Sequence, residues 1–500
     1  MNTPSEITRR IAIDARLAVL HAEIAQLGSE RNRLAPIHKV PEEILCHVFS
    51  LLPRLDATIF VCSRWSRLAL SSPVLWRDVE LANWDTKRVL AAERYSQNRL
   101  QHLTIRSLNK PLNDADESAL RHLAPRLLSL SITGQQRPLD QLGLALGRYM
   151  DLPHLANLAV ICREETEDTP VLYLRPMPAL TTLRLKGVRV SYSHWTAFAD
   201  LTVLEMDHPL AVNILFAALA QSPRLEVLNV GTWPSSGPAL QLEDLHLPLL
   251  REFAFRQRPS DFGVFWKHII IPATTKVRFT SAHYISRNDL DPIIALAKEH
   301  LARPGVPACD TLSLLSLSSY NYSITLSSGF GTPPIFALDI PTTDLFEVLG
   351  GVINTLCLPT VSQVYVDQRD YRAAHSEDWR EVFRPEQLVQ LETLYLGFPL
   401  YSSEYGNVYS SLDASLVVCC PDLQHIVIEV APSAGTMSEL YGDDTSLLEW
   451  IQTLVEEMTP SVLSTITITI RGATEAQKRA VLDSRHVTAV RDFVWEERAA

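Results

Sequence analysis

No Cys-x-x-Cys pair occurs in the 500 residues, and the seven cysteines (Cys46, Cys62, Cys162, Cys309, Cys357, Cys419, Cys420) are scattered through apolar strings such as "VVCCPDL". That excludes a zinc ribbon. It points instead to buried, reduced thiols in the cytoplasm or nucleus. The chain has no GxSxG elbow, no HExxH, no P-loop and no GxGxxG, so no catalytic residue and no cofactor is expected. "GFGTPP" at 329–334 is too short to cradle a phosphate and reads as a loop. The 15 histidines show no paired helical spacing suited to a metal. No run approaches the ~20 apolar residues of a membrane span. Arg, Asp and Glu interrupt the first thirty positions, so no signal peptide is expected. Positive charge is also short, at 45 Lys and Arg against 57 Asp and Glu. The net charge of −12 disfavours nucleic acid, whose affinity comes largely from cations on phosphates.

What is present is apolar patterning. A composition of 46% hydrophobic and 20% charged residues belongs to a folded chain, and 500 residues exceed one ordinary core. The densest apolar block runs from His38 to Leu81. Pro41 suits the first position of a helix, and Glu42 and Glu43 sit at the positive end of its dipole. Ile44, Leu45, Val48, Phe49 and Leu52 then form one wide apolar face. Asp56 is placed to cap a second helix through Val61, Trp65, Leu68 and Ala69, and Ser72 a short third one carrying Leu75 and Trp76. Three helices in so few residues cannot bury all these groups among themselves. The excess is expected to be covered by a partner.

The order and spacing of the block resemble the F-box. The matching residues are Val40-Pro41-x-Glu43-Ile44-Leu45-x-x-Val48-Phe49, then Val61-Cys62-x-x-Trp65, then Pro73-x-Leu75-Trp76. Val40 and Val48 stand where Leu and Ile are usual. The resemblance implies a docking module for the Skp-family adaptor, which links F-box proteins to a cullin–RING ubiquitin ligase core. The contact candidates it carries over are Val40, Pro41, Ile44, Leu45, Val48, Phe49, Val61, Cys62, Leu75 and Trp76. Trp65 and Leu68 could equally be the module's internal core.

Before this block, residues 5–34 are helical by propensity. Ile13, Leu17, Leu20, Ile24, Leu27 and Leu34 step by 4, 3, 4, 3 and 7, a seam of about three heptads interrupted by Arg31. Either the helix self-associates through this seam, or it folds back on the F-box or the first repeats.

From Leu100 one phrase recurs, apolar at its first, fourth and sixth places. It reads "LQHLTI" at 100, "LLSLSI" at 127, "LANLAV" at 155, "LTTLRL" at 180, "LTVLEM" at 201, "LEVLNV" at 225, "LREFAF" at 250 and "TTKVRF" at 274. Wider-spaced copies follow at 312, 361, 391, 423 and 463. The early offsets of 27, 28, 25, 21, 24, 25 and 24 match the strand segment of a leucine-rich repeat. Between strands lie helical stretches, "LDQLGLALGRYM", "LAVNILFAALAQ", "DLDPIIALAKEHLA", "TDLFEVLGGVIN" and "TSLLEWIQTLVEEM". The Asn usual after the strand is absent, so the repeats are irregular. Residues 319–360 break the period and are expected to add a hairpin or loop.

The expected fold class is therefore α/β. An N-terminal helix spans 1–35 and a three-helix F-box 36–82. An irregular leucine-rich-repeat solenoid, with a curved parallel sheet and outer helices, fills 83–500. The implied function is that of a non-catalytic substrate receptor, with the F-box on the ligase core and the repeats on an unknown target protein. A scaffold that does not direct degradation is the alternative. Outward places on successive strands give Arg184, Lys186, Glu205, Asp207, Arg256, Arg278, Tyr365, Asp367 and Tyr395 as target-binding candidates.

Overall fold

The computed structural model describes residues 4–52, 56–97, 101–164, 169–191, 200–208, 212–230, 243–256, 259–281, 287–318, 321–329, 331–341, 350, 352–353, 356, 360–367, 390–398, 420, 422–430, 466–471, 478–479, 490 and 492–496. The chain divides into two compact units. One holds residues 1–183 and 187–197, the other 184–186 and 198–500.

The first unit opens with α1 (Pro4–Leu34), a 3-10 turn (Pro36–Lys39), α2 (Glu42–Ser50), α3 (Asp56–Ile59) and α4 (Ser63–Ser71). A second 3-10 turn (Pro73–Trp76) runs without a linker into β1 (Asp78–Leu81). Then come α5 (Thr86–Ser96), β2 (His102–Leu108), α6 (Asp114–Leu123), β3 (Ser129–Gly134), α7 (Gln136–Tyr149) and β4 (Asn157–Cys162). β5 (Val171–Leu172) pairs with β7 (Arg189–Val190), and the division between units falls inside β6 (Thr182–Lys186). Strands β1 to β4 form a parallel ladder in chain order. The alternation of strand and helix requires this, because a helical crossover returns the chain in the same direction. Helix α7 lies close on the 171–173 segment, where a Cβ at Gly143 or Gly147 would meet the backbone of Val171 or Tyr173. The glycines of "GLALG" serve that approach.

Three expectations for the opening block are corrected. Pro41 is the cap residue before α2, with Glu42 as the first helical position. The second helix is not continuous from Asp56, because Cys62 is extended and separates α3 from α4. Nor does Ser72 cap the third turn; its hydroxyl lies 3.1 Å from the Cys46 thiol.

In the second unit β8 (Val203–Met206), α8 (Val212–Ala220), β9 (Val227–Val230), β10 (Leu245–His246), β11 (Glu252–Arg256), α9 (Pro259–Trp266), β12 (Ile269–Ile270), β13 (Lys276–Thr280) and α10 (Arg287–Leu301) continue the repeats. Beyond them lie β14 (Thr311–Ser318), β15 (Asn321–Ser327), β16 (Phe336–Pro341), β17 (Gln363–Asp367), β18 (Thr393–Phe398), β19 (His425–Val430), β20 (Thr467–Arg471) and β21 (Asp492–Glu496). β8, β9, β11, β13 and β16 run parallel. β15 is antiparallel to both β16 and β14, after which β14 and β17 to β21 are parallel again. The irregular segment expected at 319–360 thus contributes two strands to the sheet itself. The expected helix at 445–458 lies outside the described residues, as does most of that at 343–354.

Register overturns the phase of one copy. Leu312 and Leu314 of β14 pair with Val364 and Val366 and are buried, while Leu315 pairs with Asp367 on the other face. The copy at 312 aligned Leu315 inward. Its true offset is an odd number of residues, and an odd shift exchanges faces. β21 repeats the phrase with Val490, Phe493 and Trp495 and no leucine.

One buried group gives this unit a pH dependence. His300 on α10 has no solvent exposure, stands edge-on to Trp266 at 5.6 Å, and lies 3.1 Å from the Thr275 carbonyl through Nε2. Nε2 must donate there, which leaves Nδ1 unprotonated and without a partner. Burial holds its pKa below the usual histidine value; the Thr275 hydrogen bond opposes this, Arg303 adds to it and Glu299 opposes it. A neutral histidine in the folded state and a protonatable one in the unfolded state make stability full above about pH 6.5 and lower as pH falls beneath it. Thermal unfolding followed between pH 7.5 and 5 should show a steeper acid-side loss for the wild type than for His300→Gln.

Candidate docking surfaces

Helix α2 divides its apolar residues between two stripes. Leu45 and Phe49, one turn apart, are buried, and Phe49 packs on Trp65 with ring centroids 4.9 Å apart. They join Leu68, Ala69, Leu75, Trp76 and Ala92 of α5 in one core, with Val40, Val79 and Tyr95 at its edge. Trp76 is anchored twice. Its Nε1 donates to the Ala69 carbonyl at 2.8 Å, and its ring lies 5.2 Å from that of Tyr95. The stripe a residue earlier faces outward: Ile44 is 53% exposed and Val48 42%. Leu51, Leu52, Val74 and, at the break between α3 and α4, Phe60 and Val61 are exposed as well, Phe60 to 85%. The break at Cys62 is what turns these last two out.

The ten adaptor-contact candidates therefore separate. Pro41, Ile44, Val48 and Val61 are exposed, and Val40 and Cys62 are partly so. Leu45, Phe49, Leu75 and Trp76 are buried in the domain's own core. Periodicity marked α2 as apolar over a wide arc but could not say which part meets protein. Trp65 and Leu68 sit on the core side too, Leu68 buried and Trp65 partly so. Arg64 was not singled out, yet its guanidinium donates to the His38 carbonyl at 2.6 Å and the Val40 carbonyl at 2.9 Å. It fixes the chain entering α2, and an arginine 24 to 26 residues from the carbonyls it binds carries no sequence signal of this.

On the second unit Arg184, Lys186, Glu205, Arg256, Arg278, Tyr365 and Tyr395 lie on the outward side of their strands, alternating with buried neighbours, and Asp207 directly follows β8. Arg184 pairs with Glu205 at 3.2 Å and Arg278 with Asp339 at 3.5 Å, so much of the charge pattern is neutralised across adjacent strands. Lys186 and Arg256 are exposed, and the Asp207 amide donates to Leu185 at 3.3 Å. Tyr365 and Tyr395 are directly paired, with ring centroids 6.3 Å apart. Asp367 pairs with Gly397; its side chain lies outside the described residues.

Register joins four of the candidates, Glu205, Arg278, Tyr365 and Tyr395, into one row: Glu205, Asn229, Ala254, Arg278, Ala337, Thr325, Ser313, Tyr365, Tyr395, Val427, Thr469 and Val494. A depression of about 280 Å³ lies on the row, floored by Asn229, Ala254 and Ala337 and walled by Glu252, Lys276, Arg278, Pro333 and Pro334. The two prolines belong to "GFGTPP", the turn between β15 and β16, where Gly331 takes a left-handed φ of 75°.

Among the described residues no group of three metal-ligating side chains occurs. Burial, with Asp310 adding its charge, pushes the Cys309 thiol up to about 11, which leaves it unreactive.

The fold and surfaces define a chain with a small helical module set on the first of a series of α/β repeats. Residues 37–82 match the F-box-like family, so the chain carries an F-box-like domain followed by repeats. No curated protein matches the chain. Among solved structures it is similar to a chain described as "Crystal structure of Rad7 and Elc1 complex in yeast", at 12% identity over 87% of this chain and 96% of that one. The TM-score is 0.26, and a superposition that loose carries no argument.

Core and surface on α2 should respond differently to truncation. Leu45→Ala should cost about 2–5 kcal/mol of stability, and Val48→Ala no more than about 0.5 kcal/mol. Equal losses in chemical denaturation would contradict the assignment of the two stripes.

Proposed function

We infer that the exposed apolar face of the F-box-like domain binds a Skp-family adaptor and, through it, a cullin–RING ubiquitin ligase core, while the outward face of the second unit's sheet holds a target protein. The chain is then a non-catalytic substrate receptor, and ubiquitin transfer belongs to the other subunits. The observation that carries this reading is the set Ile44, Val48, Phe60, Val61 and Val74, large apolar groups left in water by a domain that matches the F-box-like family. Monomeric proteins rarely leave such groups together without a partner. Such a subunit works in the cytoplasm or nucleus, and the free thiols Cys46, Cys62 and Cys309 support a reducing compartment.

On the target side, ion pairs such as Arg184–Glu205 are exposed and contribute little. The paired rings of Tyr365 and Tyr395 are the better anchors, since aromatic residues dominate binding energy when a partner covers them.

Co-purification with a recombinant Skp-family adaptor tests the first half. Ile44→Asp with Phe60→Asp should weaken binding by at least ~30-fold, with the thermal transition unchanged because both side chains are exposed. Undiminished adaptor binding would overturn the assignment. Recovery of adaptor without cullin from cells would favour the scaffold reading.

The second half is tested by the proteins captured with the full chain. Tyr365→Ala with Tyr395→Ala should lose a subset of them while adaptor binding persists, and Arg184→Glu with Lys186→Glu should have the smaller effect. An unchanged set with both pairs would place the target elsewhere.

A further inference from the structure

Helix α1 is a 31-residue rod whose described side chains, from Thr8 to Leu34, are exposed except at Gly28 and Asn32. Ile13, Leu17, Leu20, Ile24 and Leu27 are 38–65% exposed along one seam, so the helix does not fold back on the first unit. Ile11 and Val19 lie off that seam. We propose that α1 pairs with α1 of a second copy of this chain, antiparallel, in the register that sets Leu17 against Leu20 and Ile13 against Ile24.

The argument is charge complementarity. Placing Ile13, Leu20 and Leu27 at heptad position d, and Leu17 and Ile24 at a, puts Arg9, Arg16, Glu23 and Glu30 at g and Asp14 and His21 at e. In an antiparallel pair, g positions flank g and e positions flank e. The stated register then sets Arg9 against Glu30 of the second copy, Arg16 against Glu23, and Asp14 against His21, each twice by symmetry. Glu30 also accepts a hydrogen bond from Gln26 within its own helix, at 3.2 Å. Sliding one heptad either way brings Glu23 against Glu23 or Arg16 against Arg16. A parallel pair would set Arg10 and Arg31, both at a, against their own copies, with Arg9–Asp14 as its one favourable flanking contact. The charges thus select one register and reject its neighbours. Leu27 falls opposite Arg10, whose aliphatic stem can cover it.

The arrangement has a functional consequence. A helix of this length spans about 46 Å at 1.5 Å per residue. Antiparallel pairing therefore delivers the two F-box-like domains to opposite ends of the rod, each with its own apolar face open.

Sedimentation of the full chain tests this, the monomer being 56.1 kDa. The wild type should be dimeric at tens of micromolar, and Leu17→Lys with Ile24→Lys monomeric. Arg16→Glu alone, or Glu23→Arg alone, should weaken self-association on the order of tenfold. An equimolar mixture of these two variants should recover it, because only the heterodimer pairs opposite charges at both sites. A monomeric wild type, a dimer that survives the double lysine variant, or a mixture no better than its components would each overturn the proposal. All four positions are exposed, so none of these changes touches a core.

Discussion

The carbonyl of Arg77 accepts hydrogen bonds from two successive amides, Gln101 at 3.0 Å and His102 at 3.1 Å. The same arrangement recurs at the entries of β3, β4 and β6: Gln101 receives Leu128 and Ser129, Leu128 receives Ala156 and Asn157, and Ala156 receives Thr181 and Thr182. In the second unit Thr202, Glu226, Asp310, Ser362 and Glu392 do likewise. Register is therefore set by backbone groups, which every residue type supplies. This is why repeats of such irregular sequence still align. It also ties the docking domain to the repeats, because Arg77 directly follows Trp76. Ala92 and Tyr95 of α5 complete the core around that tryptophan, and the helical module caps the first repeat as much as it precedes it.

Inserting an antiparallel strand into a parallel ladder usually scrambles what faces where. Here it does not, because β15 pairs directly opposite residues on both sides, Thr325 with Ala337 and with Ser313. Direct pairing keeps the pleat in phase. Asp339 then sits within reach of both flanking strands, accepting from Ser323 at 2.5 Å and from Thr280 at 3.2 Å while pairing with Arg278. A half-buried carboxylate with three partners marks the seam between repeats and insertion. The same insertion puts the Pro333–Pro334 turn over the depression floored by Ala254 and Ala337.

Much of this was legible in the sequence. Landmarks at fixed spacing announced the docking domain, and a six-residue phrase located twelve of the thirteen predicted strand copies to within a residue or two. The copy at 463 is offset by two, since Ile468 pairs with Ile426. β14 failed because "TLSLLSLS" offers leucines in both phases, and only its neighbours decide. β21 was missed because Val, Phe and Trp fill the leucine places. Within α2 the obstacle is general. An apolar arc wider than one stripe contains both core and surface, and which is which depends on where Trp65 and Trp76 pack, a tertiary fact. Arg184, Glu205 and Arg278 do face outward, but their mutual pairing across strands depends on register between residues some twenty apart or, for Arg278 and Asp339, sixty-one apart.

The two surfaces differ in what water has already done to them. On the sheet, Arg184 with Glu205 and Arg278 with Asp339 are already paired, so a partner covering them would have to displace or accommodate ion pairs that gain little from being covered. On α2 and the α3–α4 break, the exposed groups are methyl and phenyl surfaces with no polar partner to give up. Covering them yields free energy in proportion to area, at about 25 cal/mol per Å². A docking face of the second kind suits a constant partner bound the same way each time. The first kind, with polar rows, a shallow floor of small residues and two tyrosines, discriminates through shape and hydrogen bonding instead. Exposed apolar surface thus lies on the helices and exposed polar rows on the sheet, a division that follows from which side chains each fold element could bury.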